Sequence, residues 1–102
     1  MNTQLKVVNM TRKKTRNNPV YTEDERKVAS EKINVIVRKA ALKLDVKGKL
    51  KPLATKAGIS YDGLIIALRR GWLTGPMASA IESAVGRDVV TKEELCPHKY
   101  SV

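Results

Sequence analysis

Beyond residue 22 the chain settles into a helical rhythm: Ala29, Ile33, Ile36, Val37, Ala40 and Leu44 recur at intervals of three and four. That spacing predicts a long helix with one core-facing stripe, ending around residues 45–48. Thr22 followed by Glu25 forms a capping box, and Glu23 and Asp24 suit the positive end of the helix dipole. Val28, Val35 and Leu42 fall outside the stripe, and so many leftover apolar residues imply a second contact such as a partner subunit.

A short helix is predicted from Lys49 or Leu50 to Ala57, burying Leu50, Leu53, Ala54 and Ala57 and tolerating Pro52 in its first turn. Gly58 then stands where positive φ is cheap, and Ser60 caps a third helix from Tyr61 to about Arg70. Helix, tight turn, helix is the result, a pattern that many all-helical proteins share. Trp72 and Leu73 lead to Thr74-Gly75-Pro76, where Thr74 caps a fourth helix that runs to Val85 and stops at Gly86. Met77, Ala80, Ile81 and Ala84 read as core on that helix, and Trp72 as a core lid or a dimer contact.

Residues 1–20 lack such a stripe. They hold Lys6, Arg12, Lys13, Lys14 and Arg16 with no acidic residue, followed by Asn17, Asn18 and Pro19, and read as a flexible basic arm ahead of one domain at 21–102. Within the arm, "QLKVVNM" suits either a short strand or a disordered tail, and the charge run suits simple solvation or nucleic acid. With 102 residues, 42% of them hydrophobic, the chain has one modest core, limited by a single Trp and no Phe.

Charge narrows the partner class. Twenty Lys and Arg against ten Asp and Glu give +10, a field suited to phosphate backbones and less specifically to acidic membranes or proteins. One cysteine, and no apolar run near the length of a membrane span, point to a cytoplasmic protein with no membrane partner. Cys96 and His98 alone make a poor zinc site. There is no Gly-rich phosphate loop, no Ser-His-Asp set and no carboxylate pair in an apolar setting, so neither an enzyme nor a cofactor is expected.

Leu53-Ala54, Ala57-Gly58-Ile59-Ser60, Leu64, Leu68 and Arg69-Arg70-Gly71 resemble the helix-turn-helix of Cro-type regulators of phages and prophages, particularly the YdaS-like subgroup. The likeness continues through "AIESAVGRDVVTKEELCP", similar to that subgroup's fourth helix, its following glycine, the Val-Thr before a last short turn and a terminal Leu-x-Pro. It spans residues 50–97, about half the chain; the arm and the long first helix depart from the small family members. The resemblance implies an all-α, compact bundle of four to five helices with a lambda-repressor/Cro-like helix-turn-helix, acting on double-stranded DNA.

With Leu64 and Leu68 turned inward at about 100° per residue, Asp62, Ile66 and Arg69 point outward, with Tyr61, Gly63 and Ile65 at the edges. In a major groove, isoleucine packs on thymine methyls, aspartate accepts from cytosine, arginine pairs with guanine or phosphate, and glycine allows close approach. Backbone contacts are expected from Lys49, Lys51, Ser60, Arg70, Thr74 and Gly75, the last two at an outward-facing helix N-terminus, and from Arg12, Lys13, Lys14 and Arg16 of the arm. The expected function is a DNA-binding regulator acting as a homodimer on a pseudo-palindromic operator. An exposed Ile65-Ile66 pair equally suits a protein contact, so the alternative is an antitoxin-like or host-factor-binding module on the same scaffold.

Overall fold

A computed structural model describes residues 18–100, which contain six helices and no strand. The chain runs through α1 (Glu23–Leu44), α2 (Leu50–Ala57), α3 (Tyr61–Arg70), α4 (Gly75–Val85), α5 (Lys92–Leu95) and α6 (Pro97–Tyr100). The basic cluster Lys6, Arg12, Lys13, Lys14 and Arg16, and the strand alternative for "QLKVVNM", lie outside the described residues.

Each helix starts where its local chemistry permits. Thr22 and Glu25 form the expected capping box, Thr22 N–H donating to Glu25 Oε1 at 2.9 Å and Glu25 N–H to Thr22 Oγ1 at 3.2 Å. The same device opens α5, where Thr91 and Glu94 exchange equivalent hydrogen bonds. Asp45 ends α1 and also organises the following turn, its Oδ2 accepting from the backbone N–H groups of Lys47 and Lys49.

α1 buries Ile33, Val37, Ala40 and Ala41, with Ile36 and Leu44 packed on the margin, so Ala41 joins the predicted stripe. Val28, Val35 and Leu42 are indeed exposed, on the opposite side. Leu53 and Ala54 from α2, and Leu64, Ala67 and Leu68 from α3, complete the central layer under α1. α4 departs from the sequence-based expectation by a small rotation: Ala78 and Val85 join Ile81 in the core, Met77 and Ala84 pack at its edge, and Ala80 is half-buried. Contacts of α4 with both α2 and α5 turn its inner face in this direction.

The C-terminus adds an element beyond the four or five helices expected. Leu95 and Cys96 close the core, Cys96 Sγ donating to Leu73 O at 3.1 Å, and α6 then crosses the start of α4. Burial pushes the Cys96 thiol above its ordinary pKa, consistent with a packing role. Among the described residues, no helix is long and apolar enough to cross a membrane.

Leu64 is fully buried, so Leu64→Ala should cost about 2–5 kcal/mol in urea unfolding, the usual penalty for a core cavity. Ser83→Ala, exposed on α4, should stay within about 0.5 kcal/mol of the parent chain.

Candidate nucleic-acid interface

Two short helices joined by three residues form the centre of the candidate site. Gly58, at φ +72°, ends α2 in the left-handed region, and its N–H lies within reach of the Ala54 and Thr55 carbonyls. Ile59 N–H also returns to Ala54 O at 3.0 Å, tightening the turn. Space around Gly58 is open, so backbone conformation and not crowding makes glycine the suitable residue. Ser60 then caps α3, its Oγ accepting from Gly63 N–H at 3.1 Å.

The inward placement of Leu64 and Leu68 holds, and it turns the predicted ridge outward. Asp62, Ile66 and Arg69 are exposed, as is Tyr61, while Gly63 and Ile65 are half-buried beside them. Ile66 is 56% exposed, the aliphatic side chain that α3 turns to solvent between Asp62 and Arg69. From Asp62 to Arg69 the ridge rises roughly 10 Å, about three base-pair steps in length. Neither Asp62 nor Arg69 takes part in an ion pair among the described residues.

α3 is held from behind by α1. Arg26 Nη1 donates to Arg69 O at 2.7 Å and Ser30 Oγ to Leu68 O at 2.6 Å, so two terminal carbonyls of α3 are satisfied by side chains of another helix. Gly71, at φ +95°, lets the chain turn against α1: a Cβ there would lie 2.9 Å from Ala29 Cβ and 3.2 Å from Ser30 N. Glu23, accepting from the Arg26 guanidinium, holds that arginine's pKa above its ordinary value and has its own lowered by the same contact. Periodicity carries no trace of Arg26 and Ser30 in this role, because the contact joins residues about forty positions apart.

The surrounding cations divide. Lys49 and Lys51 are exposed at the start of α2, as their positions in the sequence predict. Arg70 is engaged elsewhere: its guanidinium lies 3.7 Å from the centre of the Trp72 ring and its Nε donates to Trp72 O at 3.0 Å. Partial burial lowers the Arg70 pKa from its ordinary value. Arg69 is therefore the exposed member of the pair.

The expected outward N-terminus of α4 is corrected by α6. Thr74 does cap the helix, accepting from Met77 N–H at 3.3 Å, yet it is half-buried and Gly75 is buried. Tyr100 Oη donates to Gly75 O at 3.1 Å, and a Cβ at Gly75 would meet Tyr100 Oη and Lys99 Cγ. The covering element lies beyond the segment whose pattern suggested a phosphate site. Trp72 is half-buried between Arg70 and His98, whose ring meets it edge-on at 5.6 Å. It lines a cleft of about 430 Å³ with Ile33, Ile36, Leu95 and Pro97.

No family model, curated protein or solved structure matches the chain. The α3 ridge, the exposed lysines at the start of α2 and the overall charge are therefore the features that bear on function.

Removing the Ser30 hydroxyl strands the Leu68 carbonyl in a partly buried position. Ser30→Ala should lower unfolding stability by about 1 kcal/mol, whereas Asp62→Ala, made on the exposed ridge, should change it by less than about 0.5 kcal/mol.

Proposed function

We propose that this chain is a sequence-specific DNA-binding transcriptional regulator of phage or prophage type, reading the major groove with the outer ridge of α3. The observation that carries the reading is an exposed row of Asp62, Ile66 and Arg69 on a helix anchored at both ends. A rigidly held helix can present base-reading groups without first being ordered, which lowers the entropic cost of recognition. Arg69 is suited to guanine, Asp62 to the cytosine amino group and Ile66 to a thymine methyl, while Tyr61, Gly63 and Ile65 border the contact.

Around this ridge the lysines supply affinity. Lys49 and Lys51, with Arg12, Lys13, Lys14 and Arg16 of the N-terminal arm, neutralise phosphates without reading sequence. Ser60 is exposed beside the ridge and is the remaining backbone-contacting group of the turn; Arg70, Thr74 and Gly75 contribute through support of the fold. As a homodimer the regulator occupies two half-sites about one helical turn, roughly 34 Å, apart on a pseudo-palindromic operator. It acts by blocking or recruiting polymerase and needs neither catalysis nor a cofactor.

The exposed Ile66, next to Ile65, favours one second reading: the same ridge docks on a protein, as in an antitoxin-like or host-factor-binding module. Selection from random DNA separates the two. An enriched inverted repeat supports the regulator, and absence of any enriched sequence removes it.

On the selected operator, Arg69→Ala, Ile66→Ala and Asp62→Ala should each alter preference by about 1–3 kcal/mol at one or two base pairs with folding intact. Lys51→Ala should weaken binding to all sequences alike. Unchanged affinity and preference in Ile66→Ala would take this residue out of the groove. Deleting residues 1–16 should flatten the salt dependence, the slope falling by about 0.9 for every phosphate that the arm no longer neutralises.

A further inference from the structure

α1 has two apolar faces, and the fold uses one. Ile33, Val37, Ala40 and Ala41 point into the core, whereas Val28, Val35 and Leu42 stand on the other side at 57%, 70% and 52% exposure. Scattered exposed aliphatics are ordinary on a protein surface, but these three repeat every seven residues along one helix, the spacing of a helix-pairing seam. Solvent exposure of that whole row costs free energy that a second helix laid along it would recover.

We propose that this face of α1 is the seam of a dimer with a second copy of the chain, the two helices antiparallel and the two-fold axis passing beside Val35. The inference deepens the homodimer proposed above by assigning its surface, and its test needs no DNA because the seam involves only α1 and its neighbours. Val28 and Leu42 lie seven residues on either side of Val35, so a two-fold axis there sets each Val28 against the partner's Leu42 and the two Val35 side chains against each other. A self-complementary arrangement of this kind is what a two-fold interface requires.

Charge selects the direction. The first half of α1 sets Glu23, Asp24, Glu25 and Glu31 against Arg26, Lys27 and Lys32, a net charge of −1, whereas Arg38, Lys39 and Lys43 give its second half +3 with no acidic neighbour on the helix. A parallel pair would set the cationic halves side by side. The antiparallel pair sets each against the other's weakly negative half, opposes the two helix dipoles, and brings Glu31 to the partner's Arg38. Neither Glu31 nor Arg38 has an ion pair within the chain among the described residues, whereas Lys39 lies 3.9 Å from Glu94.

Tyr21, Asp24, Glu25, Val28, Ala29 and Lys32 line an open hollow of about 440 Å³ at the N-terminal end of the seam. In the antiparallel arrangement the partner's Leu42 lies against Val28, at the edge of this hollow. The occupant is thus a second copy, whose own α1 carries the complementary end of the same row.

Sedimentation equilibrium of the full chain, without DNA, should show a reversible monomer–dimer equilibrium. Val35→Asp places two carboxylates at the axis and should weaken association by about tenfold or more, the scale of a central interface residue. Circular dichroism should find this variant folded, since the substituted position is exposed. Val35→Cys should oxidise to a covalent dimer, while the parent chain, whose Cys96 is buried, should not. Glu31→Lys should weaken the dimer and the double variant Glu31→Lys, Arg38→Glu should recover it. A parent chain that is monomeric at every concentration, a dimer indifferent to Val35→Asp, a Val35→Cys chain that fails to cross-link, or a charge-swapped pair that does not recover would overturn the proposal.

Discussion

The contact between the C-terminal end of α3 and the first turns of α1 decides where the outer face of α3 points. Arg26 and Ser30 donate to two α3 carbonyls, and Gly71 permits the close approach that brings those groups within reach. At the other end Ser60 satisfies the Gly63 N–H. Leu64 and Leu68 then hold the helix against the core, so its rotation about its own axis is set by apolar burial and its position along α1 by hydrogen bonds. With both determined, Asp62, Ile66 and Arg69 have no route inward.

The charge distribution follows a similar division. Many acidic groups are occupied in structure: Glu25 and Glu94 in capping boxes, Asp45 in the turn after α1, and Glu82 and Glu93 with Arg87. The lysines at the start of α2 remain exposed and so contribute to the external field. Arg70 shows that a cation's position in the sequence does not establish its availability, since the adjacent Trp72 offers its ring face and carbonyl to the same guanidinium.

α1 links the proposed activities through its two sides. Its inner face carries the core and anchors α3, while the outer row of Val28, Val35 and Leu42 is available for pairing. Pairing through the outer row leaves the α3 ridge unobstructed by the intramolecular packing, because α3 lies against the inner side. Dimer formation and DNA reading therefore draw on different surfaces of the chain.

The sequence by itself determined the start of α1, the end of α2, the start of α3 and both ends of α4, because Thr22, Gly58, Ser60, Thr74 and Gly86 act on backbone groups only a few residues away. It also determined the core stripe of α1 and the outward ridge of α3, since one helical period specifies both the buried side and its opposite. Only the tertiary structure decided that Ala78 and Val85, not Ala80, enter the core, because the rotation of α4 depends on the helices packed around it. It likewise decided that α6 covers Gly75 and that Arg26 and Ser30 hold α3. These contacts join residues 25 to 43 positions apart, where local periodicity and capping carry no information; their pairing exists only once the whole core has brought the helices together.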